Sequence, residues 1–186
     1  MKRGGMFALL AFVLCCTHYA IAQETPLNPL LRHGAQELSV SGFFDVQREG
    51  DPFLEIRVAY GVFPWDHLEV GGLFQVEGDF DDTFRYELGG FAEYHFMQWA
   101  FLSMPRAVPY LGADLGLSFV DSDITEDNAA LIFRPRLGLK WFIRDYFAID
   151  TSFFVAVATD DLFPNNRNDL DPYDIGFRLG IRVYFK

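Results

Sequence analysis

From Glu37 to Phe185 the chain alternates apolar residues with polar or very small ones in eight separate stretches. In the stretch 174–185, for example, Ile175 and every second residue after it are apolar, whereas Arg178 belongs to the opposite set. A period of two residues is typical of a β-strand with two unlike faces. None of the eight apolar sets contains a charged residue, so the pattern predicts eight strands that each have one uncharged face.

Most connections between the predicted strands alternate in length, but the outward loop at 48–53 is short and the inner connection at 97–108 is long. The turns at 63–67 and 143–146 are short, whereas the connections at 120–130 and 159–173 are longer and acidic. Short turns at one end and long loops at the other are typical of an up-and-down barrel that crosses a membrane. The strands are predicted at Leu38–Gln47, Leu54–Val62, Leu68–Glu77, Phe84–Phe96, Tyr110–Phe119, Leu131–Trp141, Phe147–Ala158 and Asp174–Phe185.

The period of two does not say which face of each strand is outside. A soluble, lipocalin-like binding barrel with an apolar interior would show the same alternation as a membrane barrel with a polar interior. The polar set has only one lysine, Lys140, and mixes arginine and acidic residues with glycines, which favours a crowded interior.

An eight-stranded barrel is just wide enough for side chains to fill it, so we expect paired charges to plug the lumen. The predicted lumen charge network consists of Glu55, Arg57, Glu69, Arg85, Glu87, Glu93, Asp114, Arg134, Arg136, Lys140, Asp150, Arg178 and Arg182.

Most of the excess negative charge lies in four predicted outward loops, at 48–53, 78–83, 120–130 and 159–173. The whole chain has 15 basic and 26 acidic residues, which excludes a nucleic-acid partner. We interpret the acidic loops as solvated, and weak binding of Ca²⁺ or Mg²⁺ to their oxygen ligands stays open as an alternative. The carboxylates concerned are Asp121, Asp123, Glu126, Asp127, Asp160, Asp161, Asp169 and Asp171. The pattern predicts no resident metal ion and no cofactor.

The first 22 residues have the composition of a secretory signal peptide. A basic start is followed by an apolar run from Met6 to Cys16 and by the small-residue site Ala20–Ala22. The run is shorter than the roughly 20 residues that a membrane-spanning helix needs, so an uncleaved anchor is the weaker interpretation. The sequence therefore predicts a cleaved segment at 1–22, an irregular periplasmic segment at 23–36 and a barrel at 37–186.

One local feature interrupts this regular pattern. Pro135 lies inside a predicted strand and removes a backbone donor, so a local bulge is predicted there.

Aromatic residues lie close to many strand ends, as in the interfacial girdles of membrane barrels. The residues assigned to these girdles are Tyr60, Phe63, Trp65, Tyr94, Phe96, Trp141, Phe142, Phe147 and Phe185.

Three motifs carry a family resemblance. They are Tyr60–Val62 before a turn, Pro109–Ala113 at the opening of the fifth strand, and Leu179–Phe185 at the close of the last one. Together with the signal peptide and the eight alternating strands, they resemble the small outer-membrane β-barrel superfamily of the OmpA transmembrane-domain and OmpX type. The resemblance covers essentially the whole chain after the signal peptide, and its motifs are specific for the architecture rather than for one member.

The resemblance implies a location and a set of partners. It implies a cell outer membrane, contacts with outer-membrane lipids and lipopolysaccharide, a monomeric barrel, and insertion by the barrel-assembly machinery. Members of the superfamily end on an aromatic residue that serves as the assembly signal. Here that signal would be Tyr184 and Phe185, and the chain departs from the family by ending on Lys186.

The resemblance also raises an enzymatic alternative, because some small barrels of this kind modify lipid A. Such enzymes use a histidine and a serine with a carboxylate partner. His95 lies at the inner end of the fourth predicted strand beside Glu93, with no serine nearby in sequence, so interior hydrogen bonding is the preferred role for His95.

The sequence thus predicts an all-β fold, an eight-stranded antiparallel transmembrane up-and-down β-barrel. The predicted function is that of a non-enzymatic integral outer-membrane protein with a structural or surface-interaction role, and its loops could contact an extracellular ligand. A small-solute pore, a lipid A-modifying enzyme and a soluble binding barrel stay open as alternatives, in that order.

Overall fold

Eight long strands are the main elements of the fold. The computed structural model describes residues 30–45, 53–79, 84–97, 106–121, 129–160, 163–164 and 170–186. The predicted signal peptide at 1–22 lies outside these residues. The barrel strands are β1 Gln36–Asp45, β2 Phe53–Trp65, β3 Leu68–Asp79, β4 Phe84–His95, β5 Ala107–Asp121, β6 Ala129–Arg144, β7 Phe147–Ala158 and β10 Tyr173–Phe185, and two short strands, β8 Phe163–Pro164 and β9 Leu170–Asp171, precede the last of them.

The eight long strands form a closed antiparallel barrel. Each strand pairs with the next long strand along the chain, and β1 pairs with β10 to close the ring. The predicted strand order and the up-and-down topology are therefore confirmed. The predicted ends differ by a few residues: β2 continues to Trp65, and β5 already begins at Ala107.

The two faces of the barrel strands have opposite chemistry. Apolar side chains on one face are exposed, among them Leu88 at 65% and Ile175 at 60%. Charged side chains on the other face are buried, with Asp114 and Lys140 both at 0%. Because side chains alternate across a strand, the apolar set of every strand lies outside and the polar set fills the lumen.

We call the end of the barrel that carries the turns Asp66–His67 and Asp145–Tyr146 the turn end, and the opposite end the loop end. The segment 30–35 crosses the turn end without joining the sheet. The backbone of Leu30 donates a hydrogen bond to the Asp145 carbonyl at 3.2 Å, and the Leu31 carbonyl accepts one from His67 at 3.1 Å.

The side chain of Leu31 closes the lumen at the turn end. It is 1% exposed and packs in an apolar cluster that fills this end of the barrel. Gly34 lets the segment turn into β1, since its φ of 82° lies in the left-handed region. The cluster consists of Leu31, Ala35, Phe63, Val108, Phe142, Ala148 and Tyr184.

A second apolar cluster lies at the loop end. Phe163 in β8 is 4% exposed and packs into the barrel. The short pair β8 and β9 holds this residue in place, because Phe163 pairs with Asp171 across the two strands. The cluster consists of Ile132, Phe154, Ala156, Ala158 and Phe163.

Two predictions about local features are wrong. The pairing of β6 passes Pro135 without a change of register, from Phe133 opposite Val157 to Arg136 opposite Phe154, so there is no bulge. A proline keeps an extended backbone and removes only one donor, which does not require an extra residue.

The second correction concerns the aromatic girdles. Phe63 and Phe142 are each 1% exposed and lie inside the barrel rather than in a girdle. They belong to the inward sets of β2 and β6, as Arg57 and Lys140 do, and this parity decides their side of the sheet. Trp65 and Tyr60 are exposed as the girdle assignment requires. None of the ranges that the structure describes contains a helix with the length and hydropathy to cross a bilayer.

Candidate functional site

The lumen between the two apolar clusters holds a network of buried charges. Within the described residues, it contains eight carboxylates and seven cations, together with one histidine, His95. All thirteen residues of the predicted lumen network lie in it, and each is buried. The carboxylates are Glu37, Glu55, Glu69, Glu77, Glu87, Glu93, Asp114 and Asp150, and the cations are Arg57, Arg85, Arg134, Arg136, Lys140, Arg178 and Arg182.

Lys140 is a centre of the part of the network nearest the turn end. Its ammonium lies 2.9 Å from Glu37 Oε2, 3.3 Å from Glu69 Oε2 and 2.8 Å from Glu93 Oε2. The three carboxylates come from β1, β3 and β4, whereas Lys140 comes from β6. One ammonium group thus connects four strands across the lumen.

Arg182 is the second centre at this level. Its Nη1 donates to Glu37 Oε1 at 2.5 Å, and its Nη2 donates to Asp150 Oδ2 at 2.7 Å and to the Tyr110 hydroxyl at 3.2 Å. The Tyr110 hydroxyl in turn donates to Asp150 Oδ2 at 3.1 Å. Arg182 Nη2 also lies 3.0 Å from Glu93 Oε1.

The middle of the lumen is built around Asp114 of β5. Arg57 lies 3.0 Å from Asp114 Oδ2, Arg136 lies 3.0 Å from Oδ1, and Arg134 lies 3.7 Å from Oδ2. Arg134 also donates two parallel hydrogen bonds to Glu87, at 2.9 Å and 2.7 Å, which is the bidentate geometry that gives strong pairs. This level connects β2, β4, β5 and β6.

A third group of charges lies towards the loop end. Arg178 Nε donates to Glu55 Oε1 at 2.6 Å, and Arg178 Nη2 donates to Gln75 at 3.2 Å. Gln75 donates to Glu77 at 3.1 Å, and Glu77 also forms an ion pair with Arg85. Arg136 links the group around Asp114 to the group nearest the turn end, because it lies 2.6 Å from Glu93 and 3.0 Å from Asp114.

Aromatic rings fill the space beside the guanidinium groups. Phe154 lies under Arg178 at 4.7 Å and under Arg134 at 5.6 Å, and Phe163 lies under Arg85 at 4.7 Å. A cation above an aromatic face is attracted to the ring, and the attraction is stronger away from water. The rings therefore stabilise the charges and also exclude solvent.

The predicted network left out Glu37, Glu77 and Tyr110, which take part in the observed one. Glu77 is the last residue of the third predicted strand and has the parity of the inward Gln75. Glu37 lies one residue before the predicted first strand, although it has the same parity as the inward Ser39. Tyr110 was assigned only to the start of a strand, although it has the parity of Asp114. Following the alternation to both ends of every predicted strand, and to one residue before the first strand, would have found all three.

His95 is buried at the turn end of the lumen. Its Nδ1 lies 3.1 Å from the His67 carbonyl oxygen, and its ring is packed between Phe63 and Tyr110 with centroids 5.6 Å and 5.9 Å away. This environment agrees with the interior hydrogen bonding expected of His95.

The other predicted residues are only partly described. Asp160 is exposed just after β7, while Asp121 and Asp171 end β5 and β9. The remaining loop carboxylates, Asp123, Glu126, Asp127, Asp161 and Asp169, lie outside the described residues. Of the predicted assembly signal, Tyr184 points into the lumen and packs on Phe142, whereas Phe185 is on the outer face.

Comparisons of sequence find no relative. No protein-family model matches the sequence, and no curated protein matches it significantly.

Comparisons of structure find similar folds. The N-terminal β-barrel domain of Pseudomonas aeruginosa OprF superposes with a TM-score of 0.57 at 16% identity, covering 82% of this chain and 98% of that domain. Neisserial surface protein A (NspA) gives 0.54 at 15% identity, covering 81% and 95% respectively. The outer membrane protein OprG from Pseudomonas aeruginosa gives 0.48 at 10% identity, covering 83% and 97%. The similarity to the OprF and NspA barrels shows that the chain has the fold of the small eight-stranded outer-membrane β-barrels, as its sequence pattern predicted.

Proposed function

We propose that this protein is a non-enzymatic integral component of an outer membrane, with a structural or surface-interaction role. The single observation that carries the proposal is the inside-out distribution of polarity. Uncharged apolar side chains cover the outer faces of the strands, and the charges are inside. In water such a surface would be an aggregation hazard, whereas in a bilayer it meets acyl chains. Closure of the barrel satisfies the backbone groups that lipid cannot satisfy.

The lumen supports a sealed barrel rather than a small-solute pore. Seven buried cations and eight buried carboxylates contact one another across it. The apolar clusters around Leu31 and Phe163 lie at its two ends. A conducting path would need water between these groups, and removing a paired charge from its partner inside a narrow lumen costs several kcal/mol.

The proposed orientation places the turn end in the periplasm and the loop end outside the cell. Short periplasmic turns and longer extracellular loops are the rule for such barrels. In this orientation the acidic loops face the medium, where they can contact lipopolysaccharide or an extracellular ligand. Insertion by the barrel-assembly machinery follows from the same proposal.

Planar-bilayer recording tests the sealed lumen. The purified protein is folded in detergent and added to a bilayer, and we expect no regular single-channel steps. Reproducible steps of one conductance would contradict the plugged lumen and favour the pore. A detergent sample from the same preparation, checked by circular dichroism for its β-sheet signal, shows that the added protein is folded.

Lipid analysis tests the absence of enzymatic activity. Lipid A is isolated from cells that express the protein and from cells that carry the empty vector, and its mass spectrum is compared. We expect identical spectra. A mass shift that corresponds to a lost or gained acyl chain would contradict the non-enzymatic role.

A further inference from the structure

The turn end of the lumen brings together three potential metal ligands on two adjacent strands. Glu69 of β3 lies directly opposite Glu93 of β4 in the antiparallel register. His95 follows Glu93 by two residues and therefore points to the same side of the sheet. All three side chains are buried, with exposures of 0%, 1% and 0%. Two carboxylates directly opposite each other repel, so this pair requires positive charge at its oxygens, and Lys140 supplies one such charge.

The distances within this group fit a small dication. His95 Nε2 lies 3.5 Å from Glu93 Oε2 and 3.8 Å from Glu69 Oε2, which is too long for good hydrogen bonds. Ligand atoms around a tetrahedral ion with bonds of about 2.0–2.1 Å are about 3.4 Å apart. One ligand atom from each of the three residues lies within 4.8 Å of the other two. The group can therefore supply three of the four ligands of a tetrahedral ion.

Three buried atoms of the group have no hydrogen bond, and one of them, Glu93 Oε1, lies 2.6 Å from Arg136 and 3.0 Å from Arg182. The other two are His95 Nε2 and Glu69 Oε1. Buried polar atoms in proteins nearly always have a partner, and His95 Nε2 faces the Oε2 atoms of both glutamates without a hydrogen bond to either, which indicates a missing ligand between them. Gly61 leaves the space for this carboxylate, because a Cβ there would lie 2.1 Å from Glu69 Oε1.

The charge balance at this level also favours an additional cation. Four carboxylates, Glu37, Glu69, Glu93 and Asp150, contact two cations that belong to this level, Lys140 and Arg182. Arg136 also forms an ion pair with Glu93, but it pairs at the same time with Asp114 in the middle of the lumen. The surplus of negative charge is therefore within the range that one dication can neutralise.

We propose that Glu69, Glu93 and His95 form a buried site for a divalent transition-metal ion of the Zn²⁺ class. An imidazole nitrogen with two carboxylates suits such an ion, whereas Ca²⁺ takes six to eight oxygens. Lys140 is the competing cation, because its ammonium contacts both carboxylates. When the metal binds, Lys140 keeps its contact with Glu37. Since the site is closed at the turn end, the ion enters while the barrel folds.

Metal content after folding tests the proposal. The purified protein is unfolded in urea with EDTA, transferred to urea without EDTA, refolded in detergent with ZnCl₂, desalted, and analysed for zinc by mass spectrometry. We expect about one retained zinc per chain and a higher unfolding temperature than after refolding in EDTA. X-ray absorption of the same sample should show one imidazole ligand among oxygen ligands. Refolded protein with no zinc above background would overturn the proposal.

Variants locate the ion. His95→Gln should reduce the retained zinc to background, whereas the double variant His33→Gln and His67→Asn should keep it, since these histidines lie outside the lumen network. Lys140→Met removes the competing ammonium, so zinc should raise its unfolding temperature by more than it raises that of the wild type. If His95→Gln keeps its zinc or the double variant loses it, the site is elsewhere and the proposal fails. If His95→Gln does not fold, the absorption spectrum of the wild type decides.

Discussion

Arginine supplies six of the seven buried cations of the described lumen, and lysine supplies one. A guanidinium group has five donors in a fixed plane, so it can bind two carboxylates and lie on a ring at the same time. Arg136 shows this use, because it contacts Glu93, Asp114 and the face of Phe91. The excess of arginine over lysine in the sequence was the residue-scale sign that the charged face is crowded rather than solvated.

Removing one partner of a buried pair should be more costly than removing both. Arg134→Met leaves Glu87 charged and without its bidentate partner, and we expect the free energy of unfolding to fall by about 3–5 kcal/mol. The double variant with Glu87→Gln should recover most of this loss. Urea unfolding in lipid vesicles measures both values. As a control, Arg144→Met on the exposed end of the same strand should change the value by less than about 0.5 kcal/mol.

The neighbouring glycines Gly71 and Gly72 should respond differently to the same substitution. A Cβ on Gly71 would lie 2.1 Å from the Tyr60 carbonyl oxygen and 2.6 Å from the Phe91 ring, whereas Gly72 has only the Gly89 oxygen at 3.8 Å. We expect Gly71→Ala to destabilise the barrel by about 1–3 kcal/mol, and Gly72→Ala to change it by less than about 0.5 kcal/mol. Equal losses in urea unfolding would show that the two sides of β3 are packed alike.

At the scale of the elements, the strands could be predicted from sequence because each has two unlike faces. An alternation over ten or more residues specifies both the strand and the side on which each residue lies. β7 was predicted with the bounds that it has, Phe147–Ala158. The positions of Phe63 and Phe142 could also have been obtained, because their parity places them inside.

The elements that close the barrel ends could not be predicted in the same way. Residues 30–35 and the pair β8 and β9 have no period, and their positions depend on contacts with residues far away in sequence. Leu31 packs against Phe63 and Phe142. The contacts of the candidate metal site likewise need the register between strands, which a single sequence does not contain. Within the site, only the neighbours Glu93 and His95 on one strand could be recognised.

A charge on the outer face of a strand should be more costly at its centre than at its end. Leu179 lies in the middle of β10 and Tyr173 is its first residue, and their side chains are exposed on the same face, at 55% and 59%. We expect Leu179→Arg to reduce the free energy of unfolding in lipid by about 2–4 kcal/mol, and Tyr173→Arg by about 0–1 kcal/mol. The yield of folded protein in phosphatidylcholine vesicles should also fall more for Leu179→Arg than for Tyr173→Arg. Similar losses at both positions would contradict a bilayer around the barrel.

Shortening Leu31 should weaken the turn end. Leu31→Ala removes a buried side chain from the apolar cluster, and we expect a loss of about 2–5 kcal/mol in the free energy of unfolding. Leu38→Ala serves as the matched control, because Leu38 is 44% exposed on the outer face and its truncation leaves no cavity. A loss at Leu31 no larger than at Leu38 would show that the segment 30–35 does not seal the barrel.

At the scale of the whole molecule, charge is separated by location. The lumen is nearly balanced, with seven cations against eight carboxylates in the described residues, whereas the chain as a whole has a formal net charge of −11. The barrel therefore contains mutually paired charges, and the surplus lies elsewhere in the chain. Stability and surface charge can consequently be changed independently.

Salt should have little effect on the stability of the folded barrel. Ions screen exposed charges but hardly reach buried pairs. Between about 0.05 M and about 1 M NaCl we expect the free energy of unfolding in lipid to change by less than about 1 kcal/mol. Urea titrations at the two salt concentrations provide the measurement. A large loss at high salt would reveal a water-filled lumen and would support the pore.

The pairing of β1 with β10 has a consequence for the order of synthesis and folding. Gln36 pairs with Phe185, so the ring joins the barrel strand that comes first in the sequence to the barrel strand that comes last. A growing chain can form hairpins, but it keeps two open strand edges until β10 has been made. Open edges pair readily with other chains. The chain therefore needs protection from aggregation until β10 has been made, and a chain shortened before β10 cannot close this barrel.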